Sequence, residues 1–201
     1  MNITKCWNII KMKNKIIAAF ETDKLDHKEN ITYPKIHVID RILTDGSHGV
    51  EIYNTKPKED TLLIENSLNL DISAIFFKPQ CFKDKQGNEP KSCEGVFYLS
   101  DSTDKTWVLF LEIKDCKSKN ITNYFKEAKE QIISTVQIFR DKKIISKNKR
   151  VYGNISFPRK NKTDFYNQLI KPWEPKIFID KYSIVIRGTN HLKIKNRTAI
   201  Y

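Results

Sequence analysis

Glu112-Ile113-Lys114 sets a carboxylate and an ammonium two residues apart. On an extended strand that spacing turns both side chains to one face of a sheet. The acid-x-lysine pattern alone means little here, because it occurs seven times, among them Asp26-x-Lys28, Glu89-x-Lys91, Glu127-x-Lys129 and Glu174-x-Lys176. Chance supplies that many in a lysine-rich chain. What separates Glu112 and Lys114 is context. They close the run Trp107 to Ile113, apolar on both faces, which is the pattern of an interior strand covered on both sides. Burying a carboxylate and an ammonium beside Val108 and Phe110 is costly unless they are paired or bind an ion. The plain alternative is a structural salt bridge at a sheet edge.

A second acid strengthens the case. If the strands Gly95 to Leu99 and Trp107 to Ile113 form an antiparallel hairpin centred on Thr103, Glu94 lies as far before the centre as Glu112 lies after it. A symmetric register then places the two carboxylates opposite each other, roughly 5 Å apart at Cβ. Like charges so close need something positive between them, and a hard divalent cation such as Mg²⁺ or Mn²⁺ takes carboxylate oxygens. Glu94 and Glu112, with the carbonyl of Ile113, are the expected metal ligands. Lys114 is expected to orient or help deprotonate an attacking water and to offset phosphate charge. Asp101 and Asp104 fall in the loop, and eight strand residues from Asp104 to Glu112 span about 26 Å, so neither joins the cluster.

The elements that must hold these residues are clearest in the middle of the chain. Ile72 to Phe77 reads as a strand ended by Lys78-Pro79, ahead of the two central strands. Ile121, Phe125, Ala128, Ile132, Val136 and Phe139 recur at helical spacing, and Ser118 or Asn120 can cap that helix. A strand follows from Val151 to Phe157. Strand, strand, helix, strand implies a mixed central sheet with at least one crossover, flanked by helices: an α/β fold. Elsewhere the signals are weaker. Trp7 to Phe20 fits a helix face, Lys35 to Leu43 alternates like a strand before the Asp45-Gly46-Ser47 turn, and Thr61 to Leu68 suggests a short helix. A polar region with Pro172 and Pro175 precedes strand-like Tyr182 to Arg187 and a basic tail. No repeat or domain boundary stands out in the 201 residues, which suit one domain.

Lys and Arg number 36 against 24 Asp and Glu, a net charge of +12, which favours a polyanionic partner such as nucleic acid. Lys142, Lys143, Lys147, Lys149, Arg150, Arg159, Lys160 and Lys162 flank the fourth strand, with Tyr152 and Trp173 as stacking platforms for a phosphate-tracking groove. Cys6, Cys81, Cys93 and Cys116 lack zinc-site spacing and read as reduced thiols. The hairpin register brings Cys93 and Cys116 near one another. The four histidines are scattered. No apolar run of membrane-spanning length occurs, and lysines interrupt the N-terminal stretch, so neither a membrane span nor a secretory signal is expected, and the expected location is cytoplasmic.

Together, Glu94, the spacer through Phe110, Glu112-Ile113-Lys114, the helix from Ile121 and the strand at Val151 resemble the PD-(D/E)xK nuclease superfamily, over roughly residues 70 to 157. The sequence departs from that pattern in having Glu94, preceded by Cys93, where an aspartate preceded by proline is usual. The resemblance implies a restriction-endonuclease-like core with N- and C-terminal elaborations and a divalent-metal-dependent endonuclease acting on DNA rather than RNA, in a prokaryotic defence or mobile-element system. In some branches a helix-borne glutamine or a further acid joins the site, for which Gln131 and Glu65 are the counterparts. Such compact nucleases often work as dimers, so a homodimer is compatible with it, although no interface signature occurs. The competing expectation is a non-catalytic nucleic-acid-binding or partner-binding protein that keeps the fold.

Overall fold

The computed structural model describes residues 11–42, 48–84, 86–114, 121–159 and 173–201. Cys6, the Asp45-Gly46-Ser47 turn, Cys116, the capping candidates Ser118 and Asn120, and Lys160 and Lys162 lie outside them.

Three strands with hardly a polar side chain, β5 (Ile72–Phe77), β6 (Gly95–Leu99) and β7 (Val108–Ile113), form an antiparallel meander that is buried almost throughout. The apolar stripe of α2 (Ile121–Asp141) then carries the chain back, and β8 (Val151–Ser156) pairs parallel to β7. A second crossover through α3 (Glu174–Tyr182) delivers β9 (Ile184–Gly188), parallel to β8. With β1 (Leu25–Ile31) on the far edge, this mixed sheet runs β1-β5-β6-β7-β8-β9. Four further strands, β2 (Lys35–Ile42), β3 (His48–Tyr53), β4 (Leu62–Glu65) and β10 (His191–Lys193), make a second sheet in the order β10-β4-β2-β3.

The molecule is therefore layered, with two apolar clusters sharing the central sheet. On one face Val96, Val108, Phe110 and Ile155 meet α1 (Met12–Ala19), α2 and α3 through Ile16, Ile132, Phe139 and Phe178. On the other, Ala74, Phe97, Leu109, Leu111 and Ile113 meet Ile36, Val38, Leu62, Ile64 and Leu192 of the second sheet. Gly153 lets α2 come this close, since a Cβ there would lie 2.8 Å from Ile132 Cγ2.

The mixed central sheet and its crossover match the expectation. The flanking helices match it too, all on one face, while the other face is covered by a second sheet that was not expected. The segment read as a helix at Thr61 to Leu68 is strand β4. Its apolar run Leu62-Leu63-Ile64 suits either period, and pairing with β2 decides the outcome. The polar region around Pro175 holds α3, with the proline in the first turn, where a missing N–H costs nothing. The basic tail is not loose either. It adds β10 and turns back through an Ile194–Ile200 bridge, burying Leu192, Ile194 and Ile200.

Candidate active site

The hairpin register is the one that symmetry about Thr103 demands. Gly95 faces Leu111, Val96 faces Phe110, Phe97 faces Leu109 and Tyr98 faces Val108. One step beyond the Gly95–Leu111 pair, Glu94 reaches Glu112, and the Glu94 N–H donates to Glu112 Oε2 at 3.0 Å. On its other side the Glu94 carbonyl accepts the Phe77 N–H at 2.9 Å. Gly95 is what allows this approach: a Cβ there would stand 2.7 Å from the Ile75 carbonyl oxygen.

Glu112 has no exposed surface, and Lys114 Nζ stands 2.5 Å from its Oε1. That contact is a buried ion pair, and with the Glu94 N–H on Oε2 it gives each carboxylate oxygen one close partner. Burial pushes the Glu112 carboxyl up to about 8, and the charge of Glu94 pushes the same way, against the opposing pull of Lys114 and the Glu94 N–H. Lys114 is also largely buried, which draws its pKa down, yet the negative charges of Glu112, Glu94 and Asp40 outweigh burial and hold it above its ordinary value. The arrangement is thus a carboxyl group whose charged form is disfavoured beside an ammonium that stays charged.

The chain leading into Glu94 is pinned to α2. Thr135 Oγ1 accepts the Cys93 N–H at 2.9 Å and donates to the Gln131 carbonyl, while Gln131 Nε2 donates to the Ser92 carbonyl at 2.9 Å. Gln131 therefore holds the backbone two residues before Glu94. Cys93 is a buried free thiol, and burial next to Glu112 raises it well above the usual thiol range, which makes it inert. On the opposite flank the Lys114 N–H extends the parallel ladder to the Ser156 carbonyl at 2.9 Å. Asn190 brackets the next residue, accepting the Phe157 N–H and donating to its carbonyl.

Asp40 was not among the expected site residues. It follows Ile36 and Val38 on the inner face of β2 and shares a cleft with Ile113, so the second sheet adds an acid where β7 ends. The signal lay in the alternation of Lys35 to Leu43, in which an acid closes an otherwise apolar face just as Glu112 does in β7. Glu65 goes elsewhere. It lies in β4 opposite Lys35, the far end of β2 from Asp40, 2.9 Å from His191 Nε2.

The basic residues do not gather into one groove. Lys142, Lys143, Lys147, Lys149 and Arg150 lie between the end of α2 and the start of β8, whereas Arg159 follows the end of β8, beside Ile113. Val151 to Ser156 separates the two groups by about 16 Å of strand. Lys149 is buried, its Nζ donating to the carbonyls of Thr103 at 2.7 Å and Asp104 at 3.1 Å. Lys142 donates to the Ala19 carbonyl and lies over the Phe20 ring. Tyr152 packs against the second-sheet core, and Trp173 is exposed at the start of α3.

Whether Glu94 and Glu112 suit a metal turns on Glu112 Oε1, a buried carboxylate oxygen already in contact with the Lys114 ammonium. Hard oxygen donors opposite each other suit Mg²⁺ or Mn²⁺, which commonly take one or two carboxylates and complete the shell with water and phosphate. Among the described residues no group of three or more His, Cys, Asp or Glu side chains is arranged to hold an ion. No protein-family model, curated protein or solved structure matches the chain.

Proposed function

We propose that this protein is a divalent-metal-dependent nuclease that hydrolyses phosphodiester bonds, DNA before RNA, on a restriction-endonuclease-like core formed by β5, β6, β7, α2 and β8. The observation that carries the reading is the fully buried Glu112 carboxyl, in contact with Lys114 and facing Glu94, with burial and Glu94 both opposing its charged form. A second acid beside a buried carboxyl raises the cost of charging it unless a cation joins them. The antiparallel meander followed by a helical crossover to a parallel strand also supports it, since it places both acids and the lysine at one end of the sheet.

Glu94 and Glu112, helped by the Ile113 carbonyl, are the residues that would hold the metal. Bound there, a divalent ion acidifies water and polarises phosphoryl oxygen. The chain's own contributions are distinct. Lys114 presents a fixed cation that offsets charge on the phosphate and orients the attacking water. Thr135 and Gln131 set the path of the backbone into Glu94 and so fix the spacing of the carboxylates. The alternative, a non-catalytic nucleic-acid-binding protein, is favoured by one feature: Lys114 already pairs with Glu112.

Plasmid, linear DNA and RNA incubated with the purified protein in Mg²⁺ or Mn²⁺, beside Lys114→Ala, decide between them. Cleavage by the native chain that disappears in Lys114→Ala supports the nuclease reading. No cleavage of any substrate, or cleavage that survives the substitution, removes it.

A further inference from the structure

At the carboxyl ends of β7 and β8 the two sheets part around a cleft of about 560 Å³, bordered by Asp40, Arg41, Lys58, Ile113 and Arg159. We infer that this cleft seats the nucleotide next to the scissile phosphate, so that the second sheet, and not the Lys142 to Arg150 stretch, supplies the substrate contacts. This rests on the nuclease reading above and adds to it the location and chemistry of the substrate site.

Position is the first argument. Ile113 forms part of the cleft wall, and although its side chain turns to the opposite face of β7 from Glu112, another cleft residue, Asp40, acts electrostatically on Lys114, so the cleft opens beside the end of β7 that carries the acid and the lysine. In open α/β sheets ligands collect outside the carboxyl ends of the strands. The size falls within the roughly 300–1,000 Å³ usual for small-ligand sites.

Chemistry is the second. Lys58 and Arg159 are exposed cations on different segments of the rim. Arg41 is fixed in advance, 3.0 Å from Glu51, 3.3 Å from Glu59 and over the Tyr53 ring. Asp40 and Asp60 make the lining mixed in charge. A bare phosphate rail would not carry acids, but a nucleotide seat can use them, because carboxylates accept from the amino groups of bases while cations meet the phosphate. Ile39, Ile42 and Pro158 offer apolar surface to a base or sugar. The other basic stretch is ill suited. It lies at the opposite end of the sheet, and its Lys149 is spent on backbone carbonyls.

The test compares Lys58→Glu/Arg159→Glu with Lys142→Glu/Lys143→Glu/Lys147→Glu, using a fluorescein-labelled DNA oligonucleotide for binding and plasmid cleavage for KM and kcat. All five residues are exposed, and thermal unfolding of each variant confirms that it folds; Lys58→Ala replaces the double variant if it does not. The cleft variant is expected to bind at least about tenfold more weakly, to raise KM more than it lowers kcat, and to reduce the slope of log affinity against log salt by about two. The triple variant should stay within about twofold of native binding despite its greater charge change. A cleft variant that binds like the native chain, or a triple variant that loses more, overturns the inference while a native chain that still cleaves leaves the nuclease reading standing. A native chain that neither binds nor cleaves overturns both.

Discussion

The central sheet buries a charge at each end and treats the two in opposite ways. At the amino end of β8, Lys149 is 6% exposed and closes the β6–β7 hairpin by donating to two loop carbonyls. At the carboxyl end of β7, Glu112 is 0% exposed, faces a second carboxylate, and has only the Lys114 ammonium and the Glu94 N–H against its two oxygens. Both burials cost free energy. The lysine recovers it from neutral oxygens that ask for no ligand, which marks a structural charge. The glutamate recovers it only in part from Lys114 and the Glu94 N–H, since its carboxyl is still pushed up to about 8, and in the proposed function a bound cation would supply the rest. Burial of charge is common to both ends, so satisfaction is what distinguishes them.

The largest expected effect breaks the carboxyl end. Glu112→Gln should lower the cleavage rate by roughly 10²–10³-fold or more, as loss of a transition-state-stabilising group does. The same variant should melt higher than the native chain at pH 8 in EDTA, because an amide carries no charge into the interior. Lys149→Met should do the reverse. It takes the Lys149 donor from the Asp104 carbonyl and from that of Thr103, which keeps the Thr106 N–H and hydroxyl, so it should lose about 1–3 kcal/mol in denaturant unfolding. Cleavage per folded molecule should hardly change. If Lys149→Met destroys activity without destabilising the fold, or Glu112→Gln destabilises it, the contrast between the ends is wrong.

A pH series sharpens the comparison. The Glu112 carboxyl is raised from 4.5 to about 8 by burial and by Glu94. Below 4.5 it is protonated in the folded and unfolded chain alike and costs nothing. Between 4.5 and 8 the unfolded chain releases the proton and the folded chain keeps it, so stability falls as pH rises. Lys149 has the opposite sign. Burial lowers its value from 10.5, so the unfolded chain is the one that binds more protons as that pH is approached, and stability is regained. Unfolding midpoints in EDTA should therefore decline from pH 4.5 to 8, and either Glu112→Gln or millimolar Mg²⁺ should flatten the decline. An unchanged slope in Glu112→Gln would assign the decline to another group.

Much of the carboxyl end was legible in the sequence, and the reason is specific. A tight meander has one natural centre, Thr103, so the pairing of Glu94 with Glu112 follows from counting, and burial on both faces singles out Glu112 and Lys114 from six similar motifs. Asp40 was legible only as an acid on an otherwise apolar strand face, and its place beside β7 was not, because its sheet meets β7 only through long-range packing and nothing local states which end of β2 faces Ile113. Lys149 was misleading for a related reason. A charge run records neighbours along the chain, whereas its partners Thr103 and Asp104 lie 46 and 45 residues away. The helix expected at Thr61 to Leu68 failed because three adjacent apolar residues carry no period, and pairing with β2 and β10 settled what the segment could not.

The smallest expected effect concerns what holds Glu94 opposite Glu112. Thr135 is fully buried, and its hydroxyl both accepts the Cys93 N–H and donates to the Gln131 carbonyl. Thr135→Val keeps the shape and removes both bonds, leaving a buried amide unpaired at a cost of about 1–3 kcal/mol. A merely structural threonine would show that loss alone. If it positions Glu94, the Mg²⁺ concentration for half-maximal cleavage should also rise by roughly tenfold, the lower end of what supporting hydrogen bonds contribute to metal sites. Thr135→Ser, which retains the hydroxyl, should restore the metal requirement more fully than the stability, since it still lacks the buried methyl. Gln131→Ala should shift the metal requirement less than Thr135→Val, because its bond to Ser92 acts one residue further from Glu94 and is only partly buried. The reverse order would move the anchor of Glu94 from the threonine to the glutamine.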